Sequence, residues 1–202
     1  MFGSWSPSRI ILRIIAIVIA VLAVLVGTAY LLPREVTVAR TVTIDADPGA
    51  IFPYINSLKA TQQWSPWLER DPNVALTYTG PDAGVGASMV WSSDNPQVGE
   101  GSQKITTSVA DERVETALDF GAMGTATAMF LLDAQGGATD VTWTLVTDMG
   151  NSPIRRWMGV MMDRWVGQDY ENGLANLKYV VERNWVHSQS GMKRPPFSPP
   201  VA

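Results

Sequence analysis

The sequence predicts an α+β fold in which a curved antiparallel sheet of about seven strands packs on one long C-terminal helix. Three observations support this prediction. A helical pattern of about thirty residues covers 153–183, a series of short strands with glycine-rich turns precedes it, and an apolar segment lies near the N-terminus. One sheet and one long helix bury their apolar faces most simply against each other.

The apolar segment at 14–33 is predicted to be a transmembrane anchor that follows a short N-terminal segment, 1–13. Residues 14–32 carry no charge and as a helix would cover roughly 28 Å, which is close to the hydrocarbon thickness of a bilayer. A cleaved signal peptide is the alternative, with Gly27-Thr28-Ala29 as its small-residue site. Because the apolar run continues past Ala29, the pattern favours an uncleaved, single-pass anchor.

The charges beside this segment predict its orientation in the membrane. Arg9 and Arg13 precede the segment, whereas Arg34 and Arg40 follow it with Glu35 between them. Cytoplasmic flanks of membrane spans carry the excess of lysine and arginine. The small excess on the N-terminal side therefore places the folded domain on the extracytoplasmic side.

The folded domain is predicted to span 36–184. Its first strand, Glu35–Ile44, alternates apolar residues with threonines, as a half-buried strand does. Two short helices at 49–55 and 58–64 follow, the first of them introduced by Asp47 as N-cap and a proline at the first helical position. Further strands are predicted at 75–79, 87–92, 101–110, 113–119, 124–132 and 139–147.

The long helix predicted at 153–183 has two different halves. Apolar residues at spacings of three and four mark one face that is buried along most of the helix: Met162, Val166, Tyr170, Leu174, Leu177 and Val181. A second row, formed by Trp157, Met161 and Trp165, exists in the first half only. This half is therefore apolar over a wider arc and needs a further apolar cover, which strands, a ligand or a membrane would provide.

The remaining residues, 185–202, are polar and rich in proline, which predicts a disordered tail.

Composition excludes several classes of function. The net charge of −4 and the lack of a basic stripe argue against nucleic-acid binding. The chain has no cysteine, and its single histidine, His187, lies in the predicted tail, so the side chains for a zinc site or for histidine-dependent catalysis are lacking. No metal and no cofactor are expected.

Several motifs stand in the same order as the predicted elements. They are Ile44-Asp45-Ala46-Asp47-Pro48, Trp64-Ser65-Pro66-Trp67, Tyr78-Thr79-Gly80-Pro81, Gly84-Val85-Gly86-Ala87, Val141-Thr142-Trp143 and the run 167–178. Over roughly 38–183, this arrangement resembles the START-like superfamily, also called SRPBCC or helix-grip, and particularly its polyketide cyclase/dehydrase-like branch. The resemblance implies a cavity between the sheet and the C-terminal helix, in a fold similar in shape to lipid and polyketide binders.

The sequence offers an apolar lining for such a cavity. Large, soft side chains suit an adaptable interior, and the ligand-binding candidates are Trp64, Trp67, Met89, Trp91, Phe120, Met123, Trp143, Trp157, Met161 and Trp165. Each of them is equally compatible with an ordinary packed core. Gly159 and Gly167, which interrupt the long helix, indicate either the close approach of another element or space for a ligand.

The sequence contains no recognisable catalytic constellation. The acidic candidates are expected on exposed turns and on the solvated side of the long helix: Glu100, Asp119, Asp163, Asp169 and Glu171. We therefore predict a membrane-anchored domain that binds or carries an apolar small molecule, such as a lipid, an isoprenoid or a polyketide-like compound. A polyketide cyclase/dehydrase-like enzyme and a protein-interaction module with an unknown partner are the alternatives.

Overall fold

The structure is a computed structural model that describes residues 7–190, with side chains at Ser8 and at 10–185. Its elements, in order, are α1 (Pro7–Ala29), β1 (Glu35–Ile44), α2 (Pro48–Ile55), a 3₁₀ turn (Ala60–Gln63), α3 (Pro66–Arg70), β2 (Ala75–Thr79), β3 (Ser88–Ser92), β4 (Glu100–Val109), β5 (Arg113–Asp119), a 3₁₀ turn (Gly121–Met123), β6 (Thr125–Ala134), β7 (Thr139–Asp148) and α4 (Pro153–Ser190). The predicted fold class, a sheet packed on one long C-terminal helix, is confirmed.

The strands form one antiparallel sheet of seven strands in the order β1-β7-β6-β5-β4-β3-β2. From β2 to β7 each strand pairs with the next along the chain, as the short glycine-rich turns predict. The first strand, β1, instead crosses to the far edge and pairs with β7, from Glu35 opposite Asp148 to Ile44 opposite Thr139. The short helices between β1 and β2 span the sheet in this crossing.

The long helix α4 packs mainly on the edge strand β1 and makes fewer contacts with β7. The predicted buried row is confirmed for Tyr170, Leu174, Leu177 and Val181, which are buried in the core, and Met162 is half-buried at the start of the row. The helix therefore covers one edge of the sheet, and its inner side is the one that the row of apolar residues marks.

Two glycines of α4, Gly159 and Gly167, are explained by the close approach of β1. A Cβ atom at Gly159 would lie 2.9 Å from Cγ2 of Val36. At Gly167 the guanidinium group of Arg40 takes the place that a side chain would fill. The same guanidinium donates to Oε1 of Glu171 at 2.7 Å and to Oδ1 of Asp163 at 3.0 Å, so one strand residue joins two turns of the helix.

Two local expectations are corrected. The second short helix, predicted at 58–64, is a 3₁₀ turn at Ala60–Gln63, and a further short helix, α3, begins at Pro66, because a proline at the first helical position loses no intrahelical hydrogen bond. Asp47 stands at the N-cap of α2, yet its side chain makes no capping hydrogen bond.

Both terminal helices have bounds different from those predicted. The C-terminal helix α4 continues past Arg183 to Ser190, because the sequence has no glycine or proline between Gly173 and Gly191 that would end it earlier. Residues 191–202, most of the predicted tail, lie outside the described residues. The N-terminal helix α1 begins already at Pro7 and ends at Ala29 rather than continuing to residue 33.

The N-terminal helix is apolar and exposed. Its segment Ile10–Ala29 has a mean hydropathy of 3.1, and among residues 7–190 it is the one helix long and apolar enough to cross a membrane. A signal sequence near an N-terminus has the same length and composition. The structure thus provides a helix that suits either a membrane anchor or a signal sequence.

The end of α1 is docked on the start of α4. Nε1 of Trp157 donates to the carbonyl oxygen of Leu25 at 3.0 Å. Arg156 donates to the carbonyl oxygens of Tyr30 and Leu32 at 3.2 and 3.3 Å, and its guanidinium lies 5.4 Å from the centre of the Tyr30 ring. These contacts join the apolar helix to the folded domain.

We expect Gly173→Val to lower the free energy of unfolding by about 1–3 kcal/mol, the usual cost of overfilling a packed core. A Cβ atom at Gly173 would lie 2.9 Å from Cζ3 of Trp143 and 3.1 Å from Cδ of Pro66, and both of these residues are buried. Urea denaturation of the full chain in detergent, followed by tryptophan fluorescence, measures the loss.

The matched control is Ala175→Val, two residues further along α4 and exposed. It introduces the same β-branched side chain without a clash and should cost no more than about 0.7 kcal/mol. Because valine has a higher helix propensity than glycine, propensity alone would not destabilise Gly173→Val. No loss of stability in Gly173→Val would therefore contradict the clash with Trp143.

A second prediction concerns the ion pair at the junction of α1 and the sheet. Nε and Nη2 of Arg34 bind the carboxylate of Asp148 at 2.6–3.0 Å, and the backbone N–H of Gly150 donates to it at 2.7 Å. These hydrogen bonds lower the pKa of Asp148 from its ordinary 3.8 to about 2. Because the folded-state pKa is the lower one, the stabilisation is present above pH about 4 and is lost as the pH falls through about 2.

Asp148→Asn should therefore be less stable than the wild type at pH 7, and this difference should shrink towards zero as the pH falls from 4 to 2. Melting temperatures measured across this range test the expectation. The double variant with Arg34→Gln should show that the coupling between the two substitutions disappears over the same range. A coupling that stayed constant with pH would contradict the assignment.

Candidate ligand-binding site

Stacked aromatic rings fill the centre of the space between the sheet and α4. The ring of Trp143, on β7, stacks on Tyr170 of α4 with a centroid distance of 3.8 Å and on Phe130 of β6 at 4.7 Å. Trp64 and Trp67 meet Trp143 edge-on at 5.5 and 5.8 Å. The cavity that the resemblance implies between sheet and helix is therefore occupied at its centre by side chains of the protein itself.

Trp143 carries the unusual polar group of this cluster. Its side chain is 6% exposed, and Nε1 has no hydrogen-bond partner among the described residues. The indole nitrogens of Trp64 and Trp91 differ, since they donate to the carbonyl oxygens of Tyr54 and Val98 at 3.1 and 3.3 Å. An unpaired buried N–H costs about 1–3 kcal/mol. A ligand that accepted a hydrogen bond from this nitrogen would therefore recover much of that free energy on binding.

The inner face of the sheet is less covered at one end, beside α4. We define this open end by the half-buried side chains of Leu76, Trp91, Leu118 and Phe120, which pack against the core from β2, β3 and the end of β5. The rings of Trp91 and Phe120 meet edge-on at 5.9 Å. Because α4 packs mainly on β1, which is the opposite edge of the sheet from β2, it leaves this end of the inner face less covered.

A polar pair lies among the apolar side chains of the inner face. Nε2 of Gln103, on β4, donates to Oγ1 of Thr116 on β5 at 3.2 Å. Gln103 is half-buried and stands between Met89 and Leu118 in the register of the sheet. Apolar sites use a few placed polar groups of this kind to orient a ligand.

The structure divides the predicted lining residues into two sets. The first set faces the inner side of the sheet or its open end: Trp64, Met89 and Trp143 are buried, and Trp67, Trp91 and Phe120 are half-buried. The second set lies on the surface and comprises Met123, Trp157, Met161 and Trp165. The last three are on the side of α4 opposite to the residues that pack on β1, so the candidate site is centred on the first set.

Phe130 and Gln103 belong to the site but were not among the predicted lining residues. Phe130 stands opposite Trp143 in the pairing of β6 with β7, and its place in the alternation of β6 was a usable signal. Gln103 is a polar residue at an inward position of β4, and strand alternation does not distinguish it from a solvated residue.

The acidic candidates have partners or lie on the surface. Asp163 and Glu171 bind Arg40, which lowers the pKa of Asp163, and Asp169 pairs with Arg70. Glu100 and Asp119 are exposed at strand ends. None of these carboxylates lies in the aromatic cluster.

Tyr170 is the ionisable group inside the cluster. Burial raises the pKa of its hydroxyl well above the ordinary value, so the phenol stays protonated at neutral pH and is unsuited to act as a base. Among the described residues no group of three or more histidine, cysteine or acidic side chains is placed to hold a metal ion. The arrangement is suited to binding an apolar molecule.

An antiparallel sheet folded around a long C-terminal helix, with an apolar inner face, defines the helix-grip or SRPBCC class of proteins. The chain belongs to the polyketide cyclase/dehydrase and lipid transport family, whose model matches residues 35–182. Proteins of this family are associated with lipids and other small hydrophobic molecules. No protein with a curated description matches the sequence.

Solved structures share the fold at low sequence identity. SA2116 from Staphylococcus aureus, a protein of unknown function, has 10% identity and a TM-score of 0.59, with 75% of this chain and 96% of that chain covered. Ara h 8.0201 has 13% identity and a TM-score of 0.55, with 73% and 97% covered. An uncharacterised protein from Rhizobium leguminosarum has 15% identity and a TM-score of 0.52, with 74% and 95% covered. At such identities the likeness concerns the fold alone.

Proposed function

We propose that this protein binds or carries an apolar small molecule with a hydrogen-bond acceptor, such as a lipid, an isoprenoid or a polyketide-like compound, and that α1 anchors it in a membrane. The observation that carries the proposal is the unpaired Nε1 of Trp143 inside an aromatic cluster. A ligand whose acceptor reached this nitrogen would exchange an unsatisfied donor for a hydrogen bond.

The open end of the inner face supplies the apolar part of the proposed site. A chain or ring system lying along Trp91, Leu118 and Phe120 would cover half-buried apolar surface, which favours binding by about 25 cal/mol for each Å² removed from water. Entry of the ligand towards Trp143 requires the rings of the cluster to shift. Gln103 offers a second polar contact on the way.

A cyclase or dehydrase reaction is the second candidate, and the description of the family favours it. Such a reaction needs a group that accepts or donates a proton at the bound substrate. The protonated hydroxyl of Tyr170 is a possible donor, whereas the carboxylates of α4 are engaged by arginines on the outside of the cluster. Ligand binding without turnover is therefore the function that the geometry supports best.

The ligand proposal is tested with the full chain purified in mild detergent, extracted with organic solvent and examined by mass spectrometry. We expect an apolar molecule bearing at least one hydrogen-bond acceptor. Trp143→Phe should weaken its binding by up to about tenfold, since one hydrogen bond contributes about 0.5–1.5 kcal/mol and 1.4 kcal/mol corresponds to tenfold.

Trp64→Phe is the matched control for this variant. It removes the same amount of ring from the same cluster, but its indole nitrogen serves the carbonyl oxygen of Tyr54, so we expect lower stability with affinity nearly unchanged. An empty extract, together with no thermal shift against fatty acids, isoprenoid alcohols and phospholipids, would argue against ligand binding. Equal loss of affinity in both variants would remove the role of Nε1.

The anchor proposal rests on the exposed helix α1 and on its contacts with the domain. The segment around the alternative cleavage site is docked, because Ala29 is buried and Arg156 binds the carbonyl oxygens that follow it. The small excess of arginine on the N-terminal side of the segment supports an extracytoplasmic location of the domain.

We expect the chain isolated from membranes to keep its full mass and to remain in the membrane pellet after alkaline carbonate extraction. Intact-mass spectrometry distinguishes this result from cleavage after Ala29. A shortened chain recovered in the soluble fraction would identify residues 1–29 as a signal sequence instead.

A further inference from the structure

The outward side of the first half of α4 is an apolar surface. We define this outward face by its exposed side chains, which are Ile154, Trp157, Met158, Val160, Met161 and Trp165. Most of them follow the spacing i, i+3, i+4, i+7 and so share one side of the helix over about three turns. On the same side the next residues are Gln168 and Asn172, both exposed and polar. The apolar character therefore belongs to the first half of the helix alone.

The outward face is not part of the core of the domain. The opposite side of the same turns packs on β1 through Gly159, with Met162 and Val166 half-buried. Exposed apolar patches of this extent on a folded domain mark surfaces that contact another apolar phase or partner. The strands of this domain do not provide that cover, because they lie on the other side of the helix.

The position of α1 indicates what covers the outward face. Trp157 reaches the carbonyl oxygen of Leu25, which lies inside the apolar segment Ile10–Ala29, and Arg156 binds the residues just after it. If this segment crosses a bilayer, its last turns lie at the boundary between hydrocarbon and headgroups. The start of α4, which touches those turns, lies at the same depth. Tryptophan and tyrosine, here Trp157, Trp165 and Tyr30, are enriched at this depth.

The charges of this half of α4 suit an anionic lipid surface. Residues 153–165 contain Arg155, Arg156 and Arg164 against the single acid Asp163, a net charge of +2, whereas the whole chain carries −4. Asp163 is bound by Arg40, and Arg164 is exposed next to the outward face. Helices that lie in the membrane interface combine an apolar side with arginine and lysine in this way.

We propose that the outward face of α4 lies in the bilayer interface, with its apolar side chains in the headgroup and upper acyl region, so that the domain is held flat against the membrane and not merely tethered to it. This proposal rests on the proposed anchoring by α1. It also places the open end of the ligand site near the lipid, because Arg155 donates to the carbonyl oxygen of Met123 at 2.6 Å and so joins the turn after Phe120 to the start of α4. An apolar ligand would pass between bilayer and site over a short path.

The absence of cysteine in the chain allows a direct test. Single cysteines introduced as Met158→Cys or Met161→Cys place a nitroxide label on the outward face. Ala175→Cys places it on an exposed part of α4 beyond that face, and Val18→Cys places it in the middle of α1. The full chain is reconstituted in vesicles of phosphatidylcholine and phosphatidylglycerol. Collision rates of each label with oxygen and with a water-soluble nickel chelate report its depth in the bilayer.

We expect labels at Met158 and Met161 to collide several-fold more with oxygen, relative to the nickel chelate, than the label at Ala175, and the label at Val18 to lie deepest. Labels at Met158 and Met161 as accessible to nickel as the Ala175 label, with Val18 still deep, would overturn the interfacial proposal while leaving the anchor intact. A water-accessible Val18 would overturn the anchor and the interfacial proposal together.

A second copy of the chain is the competing occupant of the outward face. Contact between copies would protect the Met158 and Met161 labels from both reagents, and their spectra would show spin–spin broadening that disappears on dilution with unlabelled protein. That result would overturn the interfacial proposal. Ligand extraction from the same vesicles reports separately on the inner-face site, so loss of one proposal does not obscure the other.

Discussion

The packing of α4 along the edge strand β1 is the constraint on which the rest of the structure depends. Gly159 and Gly167 allow the strand to approach the helix closely, and Arg40 joins the two through Asp163 and Glu171. Because α4 packs mainly along the edge strand β1, the inner face is only half-buried at Trp91 of β3 and Leu118 of β5. The same packing turns the other side of the helix away from the domain. One contact thus creates both the open end of the inner face and the outward face.

The aromatic cluster stabilises the sheet–helix interface, but it also contains an unsatisfied hydrogen-bond donor. Trp143 stacks on Tyr170 and Phe130 and closes the centre of the sheet–helix interface, yet it buries a donor without a partner. Local conflicts of this kind are expected where a protein serves function as well as stability. An apolar ligand that satisfies the donor would complete the cluster, and a site held near the bilayer would limit the exposure of such a ligand to water.

Much of the fold could be predicted because its signals are local. The strands Glu35–Ile44, Ala75–Thr79 and Arg113–Asp119 have the predicted bounds, since alternation and turn residues act over a few positions. The resemblance to the START-like superfamily is matched by the family model. The site was predicted less completely. Trp143 was among the predicted lining residues, and periodicity identified the row from Met162 to Val181 as the buried one. Periodicity did not tell whether strands, a ligand or a membrane covers the second row of Trp157, Met161 and Trp165.

The sequence by itself determined the order of the elements, the apolar N-terminal helix and the presence of a second apolar row on the first half of α4, because each follows from the spacing of neighbouring residues. Only the tertiary structure decided that this row faces outward, that Arg40 lies against Gly167, and that Nε1 of Trp143 has no hydrogen-bond partner in the part of the chain that the structure describes. Each of these depends on contacts between residues far apart along the chain, and periodicity carries no information about them.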